Sequence, residues 1–454
     1  MKFYKLIFWI WLGTSNVLFA QIKIQQIVSH EGHLETDHGG PTVCLGTAER
    51  IAVQERINKA VRDMKNDGLL ERVFPQHQRA MPPLLQWPLR QSDKYNDPGY
   101  YAISNYADLD PTPVNVLDYN GLNQTYDGHN GIDIRVWPYW WKKMDDSHVE
   151  VVAAADGIII FKQDGFNDQS CAFNGNSWNA VFLLHADGSI TWYGHLKQNS
   201  TTVKDSGDVV TVGEYLGVVG SSGNSTNPHL HLECYDDLGN RIEPFAGTSN
   251  PTITNSWWAN QLPYYDTGVN KIATHFAAPV TPPCPGIESP NEKDYFNPGD
   301  SIFFTASIRH SLTADSARVQ AIQPNGVVST VLNAAYQRTG GFFTRSAQPI
   351  WNRQLPNNAM VGKWTYRVTY YSQTYGTSIT NHTFWVAQPC TPNLALGGIH
   401  SVNNYFQASN SITSNAEINL GVHVVYDAEN YTILGGGFIA PTGSKLEIKT
   451  TGCN

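Results

Sequence analysis

Three short histidine motifs lie between Asp127 and Glu233: Gly128-His129-Asn130-Gly131-Ile132-Asp133, Tyr193-Gly194-His195-Leu196 and Asn227-Pro228-His229-Leu230-His231-Leu232-Glu233. An imidazole–carboxylate–imidazole set leaves one coordination position open, which is the arrangement of a catalytic zinc site. Water held at that position has a lowered pKa, and a carbonyl bound there is polarised. Two further imidazoles nearby can serve as general base and as donors to a developing oxyanion. The H-x-x-x-D spacing alone does not establish a ligand pair. Gly128 and Gly131 argue against a helix and for a turn into a strand. Strand positions four apart share a face, as do the two histidines of H-x-H, so His229 and His231 point into one cavity. His33 and Asp37 repeat the spacing in a polar, glycine-flanked stretch with no apolar strand after it, and are read as a solvated loop. His148, His185 and His400 are read as ordinary packed or exposed side chains.

The elements that must position these residues read as mainly β. Val149–Ala155 and Gly157–Phe161 are apolar runs separated by the turn signal Asp156-Gly157. Asn179–His185 and Ser189–Tyr193 flank Ala186-Asp187-Gly188 as a second hairpin. Val209–Gly220 and the H-x-H strand complete a small antiparallel sheet or barrel. Upstream, Val53, Ile57, Val61 and Met64 recur at helical spacing, which predicts an amphipathic helix from a Thr47 cap to about Leu70, with Gly68 as a stop, clasped onto the next domain. Residues 284–390 carry strands at the spacing of an immunoglobulin-like β-sandwich, among them Ser301–Ile308, Ala317–Ile322, Gly362–Tyr371 and Thr383–Val386. The resulting division is 1–20 signal peptide, 21–84 N-terminal helical segment, 85–260 the domain of the histidine motifs, 261–283 proline-rich linker, 284–390 sandwich and 391–454 a short stacked-strand module.

The chain has 454 residues, 41% of them apolar and 15% charged, with a net charge of −9. That is enough apolar material for several packed cores. The acidic balance argues against nucleic acid as the main partner, because phosphate binding needs a basic face. Lys2 and Lys5, the apolar run Leu6–Leu12 and Ala20 read as a secretory signal, with Leu18 larger than the usual residue near the cut. The run is too short for a membrane anchor, and no other stretch is long enough to span a bilayer. A secreted, cell-surface or periplasmic location follows. In such a compartment the six scattered cysteines are assigned to disulfides, with Cys171–Cys234 and Cys284–Cys390 as the expected pairs and no cysteine zinc knuckle.

The segments GHNGID, YGHL and SSGNSTNPHLHLE resemble the lysostaphin and LytM-type zinc endopeptidases over roughly residues 85–245. The resemblance implies a small antiparallel β domain with a groove, one Zn2+ ion, and hydrolysis of peptide bonds by zinc-activated water. It implies His129, Asp133 and His231 as ligands and His195 and His229 as catalytic groups, either of which can be the base. The substrates it implies are bacterial cell-wall (peptidoglycan) peptides or, in some members, glycine-rich proteins. The aromatic run Trp137–Met144 and the loop Asp164–Trp178 depart from the pattern. The C-terminal residues, with Gly436-Gly437-Phe438-Ile439-Ala440, are similar to stacked-strand modules at the ends of secreted Bacteroidetes proteins. A non-catalytic regulator on the same fold is the competing reading. The retained His129, Asp133, His195, His229 and His231 speak against it. The stretch Asn120–Tyr126, just before the first motif, is an expected plug of the groove.

Overall fold

The computed structural model describes residues 26–29, 44–75, 82–337 and 343–453. The signal stretch and the His33/Asp37 pair lie outside the described residues. Among the described residues, no helix is long and apolar enough to cross a membrane.

A large sheet carries the histidine motifs. Its strands run in the order Tyr101–Asn105, Ile132–Val136, His229–Tyr235, Ile190–Gly194, Ala180–Leu184, Gly157–Gln163 and Val209–Val210. Leu89–Gln91, Val149–Val152 and Tyr215–Val218 form a second sheet against it. The apolar residues of both, including Ile132, Ile134, Val151, Leu183, Leu230 and Leu232, close one core. The hairpin around Ala186–Gly188 forms as expected, joining Ala180–Leu184 to Ile190–Gly194. The turn at Asp156-Gly157 does not make a hairpin. It hands the chain from the second sheet to the first, because Val149–Val152 pairs with Tyr215–Val218 while Gly157–Gln163 pairs with Ala180–Leu184.

The clasping helix spans Thr47–Asn66 and buries Val53, Ile57 and Met64. Gly46, not Thr47, stands at the cap position, and no side chain caps the helix. Gly68, at φ 65°, takes the left-handed turn that a side chain would strain, and a short helix, Leu69–Val73, follows. The buried face meets Ile158, Ile160, Phe182, Leu184 and Trp192 of the large sheet. This makes a second apolar cluster, on the face of the sheet away from the first core.

Two further sheets enclose the next core. One has the order Gln26–Ser29, Phe343–Gln354, Ser301–Leu312 and Gly268–His275. The other has Tyr295–Phe296, Gly376–Val386, Gly362–Ser372, Ser316–Ile322 and Ala334–Gln337. Ile302, Phe304, Val319, Tyr366, Val368 and Phe384 fill the space between them. Two expectations change here. Gly268–His275, placed in the linker by the prolines after it, is a strand paired along Ser301–Leu312. The N-terminal strand Gln26–Ser29 joins the same sheet. Residues 391–449 form a parallel sheet ordered Thr391–Leu396, Asn404–Ser414, His423–Ala428 and Lys445–Lys449.

The disulfides also differ from expectation. Cys171 pairs with Cys284 and Cys390 with Cys453. Cys44 and Cys234 are free and buried. Cys234 cannot reach Cys171 because it lies inside the core on the strand His229–Tyr235, in the apolar cluster that also holds Ile132 and Ile242.

Candidate metal centre

Strand register brings the three motifs together. His231 stands directly opposite Asp133 on one side and Gly194 on the other. Opposed residues of an antiparallel pair have Cβ atoms about 4.5–5.5 Å apart, close enough for side chains to share one ligand. His195 follows Gly194 and leaves the strand at φ 60°. Gly194 itself must lack a side chain, since a Cβ there would stand 2.0 Å from the ring of buried Trp178. At Gly131 a Cβ would meet the Leu232 carbonyl oxygen at 2.5 Å. Gly131 and Gly194 are thus required by packing around the ligands.

Each imidazole has one nitrogen fixed by an outer acceptor. His129 Nδ1 donates to the Tyr106 carbonyl at 2.7 Å, and His231 Nε2 donates to Glu233 Oε1 at 2.8 Å. His195 Nδ1 donates to the Ser222 carbonyl at 2.6 Å and His229 Nδ1 to the Asn227 carbonyl at 2.7 Å. Such partners set the tautomer and orient the other nitrogen. The inward atoms crowd together: His129 Nε2 is 3.1 Å and His231 Nδ1 2.8 Å from Asp133 Oδ1, and the two nitrogens are 3.3 Å apart. Asp133 Oδ2 is held by Asn105 Nδ2 at 3.0 Å. A tetrahedron with metal–ligand bonds of about 2.0–2.1 Å has edges of about 3.4 Å, so the spacing fits one small cation.

The electrostatics point the same way. Burial opposes the imidazolium of His129 and of His229, but the Asp133 carboxylate beside them outweighs it and raises both to about 9. The centre therefore demands positive charge, from a proton or from a metal. His195 behaves differently. Burial and the neighbouring His229 lower its pKa, and its inward Nε2 is buried with no hydrogen-bond partner.

Residues 127–244 match the model of Peptidase family M23. This stretch is an M23 peptidase domain. Eighty-three residues are 42% identical to the DD-carboxypeptidase/endopeptidase Mpg of Neisseria meningitidis serogroup B, covering 18% of this chain and 16% of that protein. The peptidoglycan DD-endopeptidase ShyC of Vibrio cholerae is 35% identical over 81 residues, again 18% of this chain and 16% of the relative. The chain thus spans 16% of the length of these curated relatives. The catalytic domain of the antimicrobial peptidase lysostaphin from Staphylococcus simulans aligns at 24% identity with a TM-score of 0.20, covering 34% of this chain and 96% of that one.

The five expected residues of the M23 domain converge. The ring of His195 lies 4.5 Å from that of His229 and 5.7 Å from that of His231. Three features were missed. Cys44, assigned to disulfides, instead brings Sγ into the cluster: single ligand atoms of Cys44, His129, Asp133 and His231 all lie within 4.8 Å of one another. Glu233, read only as the end of a motif, is the outer partner of His231. Arg50 of the clasping helix holds that glutamate by two hydrogen bonds of 2.7 Å. A free cysteine three residues before a helix carries no sequence signal of a site elsewhere in the chain. The expected plug Asn120–Tyr126 contributes Tyr126, which stacks on His129 with ring centres 4.3 Å apart and meets Cys44 Sγ at 2.9 Å. Of the aromatic run, Trp137, Tyr139, Trp141 and Met144 are buried, so it serves mainly as packing.

Proposed function

We propose that the M23 domain is a zinc-dependent endopeptidase of an exported protein, hydrolysing peptide bonds in bacterial cell-wall peptides. His129, Asp133 and His231 would hold one zinc ion through Nε2, Oδ1 and Nδ1. Bound there, zinc supplies an acidified water and a polarised carbonyl. His195 presents an unpartnered Nε2 and takes the proton of the attacking water. His229 Nε2, 3.4 Å from Asp133 Oδ1, is placed as donor to the developing oxyanion. The observation that carries this reading is the convergence of three inward acceptor atoms around one point, each anchored from outside. The name of ShyC favours peptidoglycan peptides as the substrate class. The two disulfides suit an oxidising compartment outside the cytoplasm.

The test is digestion of purified peptidoglycan beside a glycine-rich protein, with mass analysis of the products. New amino termini within wall peptides are expected. Cleavage confined to the glycine-rich protein would replace the substrate class, and no cleavage of either by the zinc-loaded chain or by its zinc-loaded Cys44→Ala variant would reject the endopeptidase.

A further inference from the structure

The proposed centre needs an open coordination position, and a thiol stands beside the three ligands that would define it. Cys44 Sγ is within 4.8 Å of the inward atoms of His129, Asp133 and His231, and the residue is buried. Tyr126, stacked on His129, meets the thiol at 2.9 Å and steers it towards the cluster. His195 Nε2 is buried with no hydrogen bond from its own domain, so an acceptor is aimed at the same space.

We propose that Cys44 is a fourth ligand of the metal in this chain, and that the N-terminal segment carrying it holds the M23 domain closed to substrate. This rests on the reading of the cluster as a zinc centre. The chemistry is ligand exchange and needs no oxidant. The thiol gives up its proton to solvent, and the sulfur lone pair takes the position that water would hold. Opening reverses both steps. A thiolate is a favoured zinc ligand, and four protein ligands make a closed site with no place for the attacking water.

The helix that follows makes this ligation persistent. It starts three residues after Cys44, packs Val53, Ile57 and Met64 on the face of the sheet that carries His231, and joins Arg50 to Glu233. The thiol is thereby tethered beside the metal at high effective concentration. Ligation also accounts for a buried lone thiol beside the centre in a protein whose surface cysteines are paired. Cys171–Cys284 and Cys390–Cys453 are oxidised, and Cys234 is sealed in the core.

The test uses the full chain loaded with cobalt(II). A sulfur-to-cobalt charge-transfer band in the near ultraviolet is expected, retained in Cys234→Ala and lost in Cys44→Ala at unchanged metal stoichiometry. Cys44→Ala should also hydrolyse peptidoglycan faster by about tenfold or more, because the fraction of molecules with an open centre rises. One bound cobalt without the band, or a band that survives in Cys44→Ala, would overturn the assignment while leaving the metal centre standing. A wild-type chain that takes up no metal would overturn the zinc reading and this assignment together. The wild-type spectrum needs no variant to fold.

Discussion

Arg50 grips both oxygens of Glu233, Nη1 at 2.7 Å from Oε2 and Nη2 at 2.7 Å from Oε1. Glu233 in turn accepts His231 Nε2 at 2.8 Å. A residue of the N-terminal helix is therefore two hydrogen bonds away from a proposed metal ligand. Glu233 is fully buried, and burial alone would raise its pKa, but Arg50 holds the carboxyl well below its ordinary range.

Arg50→Ala leaves that carboxylate buried with one cationic partner removed. Loss of one member of a buried pair costs about 3–5 kcal/mol, and loss of an outer-shell partner costs about 10–100-fold in metal affinity. Denaturant titration and chelator competition measure the two effects. If neither moves, Arg50 does not support the centre.

Non-reducing peptide mapping should recover Cys171 linked to Cys284 and Cys390 linked to Cys453, with Cys44 and Cys234 as thiols. The first bridge closes a sequence separation of 113 residues. In the chain-entropy account a loop of this length contributes about 4–5 kcal/mol, so Cys284→Ala should lower the denaturation midpoint clearly. Recovery of a Cys171–Cys234 peptide would refute the arrangement described here.

Gly194→Ala should disable the centre without touching a ligand. The added methyl would meet Trp178 at 2.0 Å, and that indole is fully buried and cannot swing away. Overpacking of this kind costs about 1–3 kcal/mol, and the strand shift moves His195, the next residue. Loss of hydrolysis with a folded circular-dichroism spectrum is expected. Unchanged activity would mean that the Gly194–Trp178 contact is not a constraint on the site.

Glu243 carries a pH signature outside the ligand set. Burial raises its carboxyl from 4.5 to about 7, although the backbone N–H groups of Phe245 and Ala107 hydrogen bond to it. A folded pKa above the unfolded one means that the proton favours the folded state. The contribution is complete below about 4.5 and is lost as pH rises through about 7, amounting to roughly 3 kcal/mol. Stability of the wild type should therefore fall across this window relative to Glu243→Gln, whose curve lacks the slope. Parallel curves would show that Glu243 is not perturbed.

The metal-centre motifs were legible because each fixes its own geometry. H-x-H in a strand puts His229 and His231 on one face, and GHNGID enters its strand from a glycine turn. The helix on Val53, Ile57 and Met64 was legible from its period. What the sequence could not reveal lies in pairings between distant segments. Asp133 meets His231 through strand register. Gly268–His275 lies among prolines yet completes a sheet with Ser301–Leu312. The cysteine partners depend on which loops meet, and Cys44 reaches the centre only because the helix after it docks on the face of the sheet that carries His231 and Glu233. The turn at Asp156-Gly157 carries a hairpin signal, but pairing with Tyr215–Val218 wins Val149–Val152 for the other sheet.

The central claim is that His129, Asp133 and His231 hold one zinc ion. Its most direct test is the metal content of the purified full chain beside that of His231→Ala, by mass spectrometry of the element. One zinc per wild-type chain and a loss in the variant, with the fold retained, is the predicted result. A zinc-free wild type, or a variant that keeps its zinc, would contradict the account.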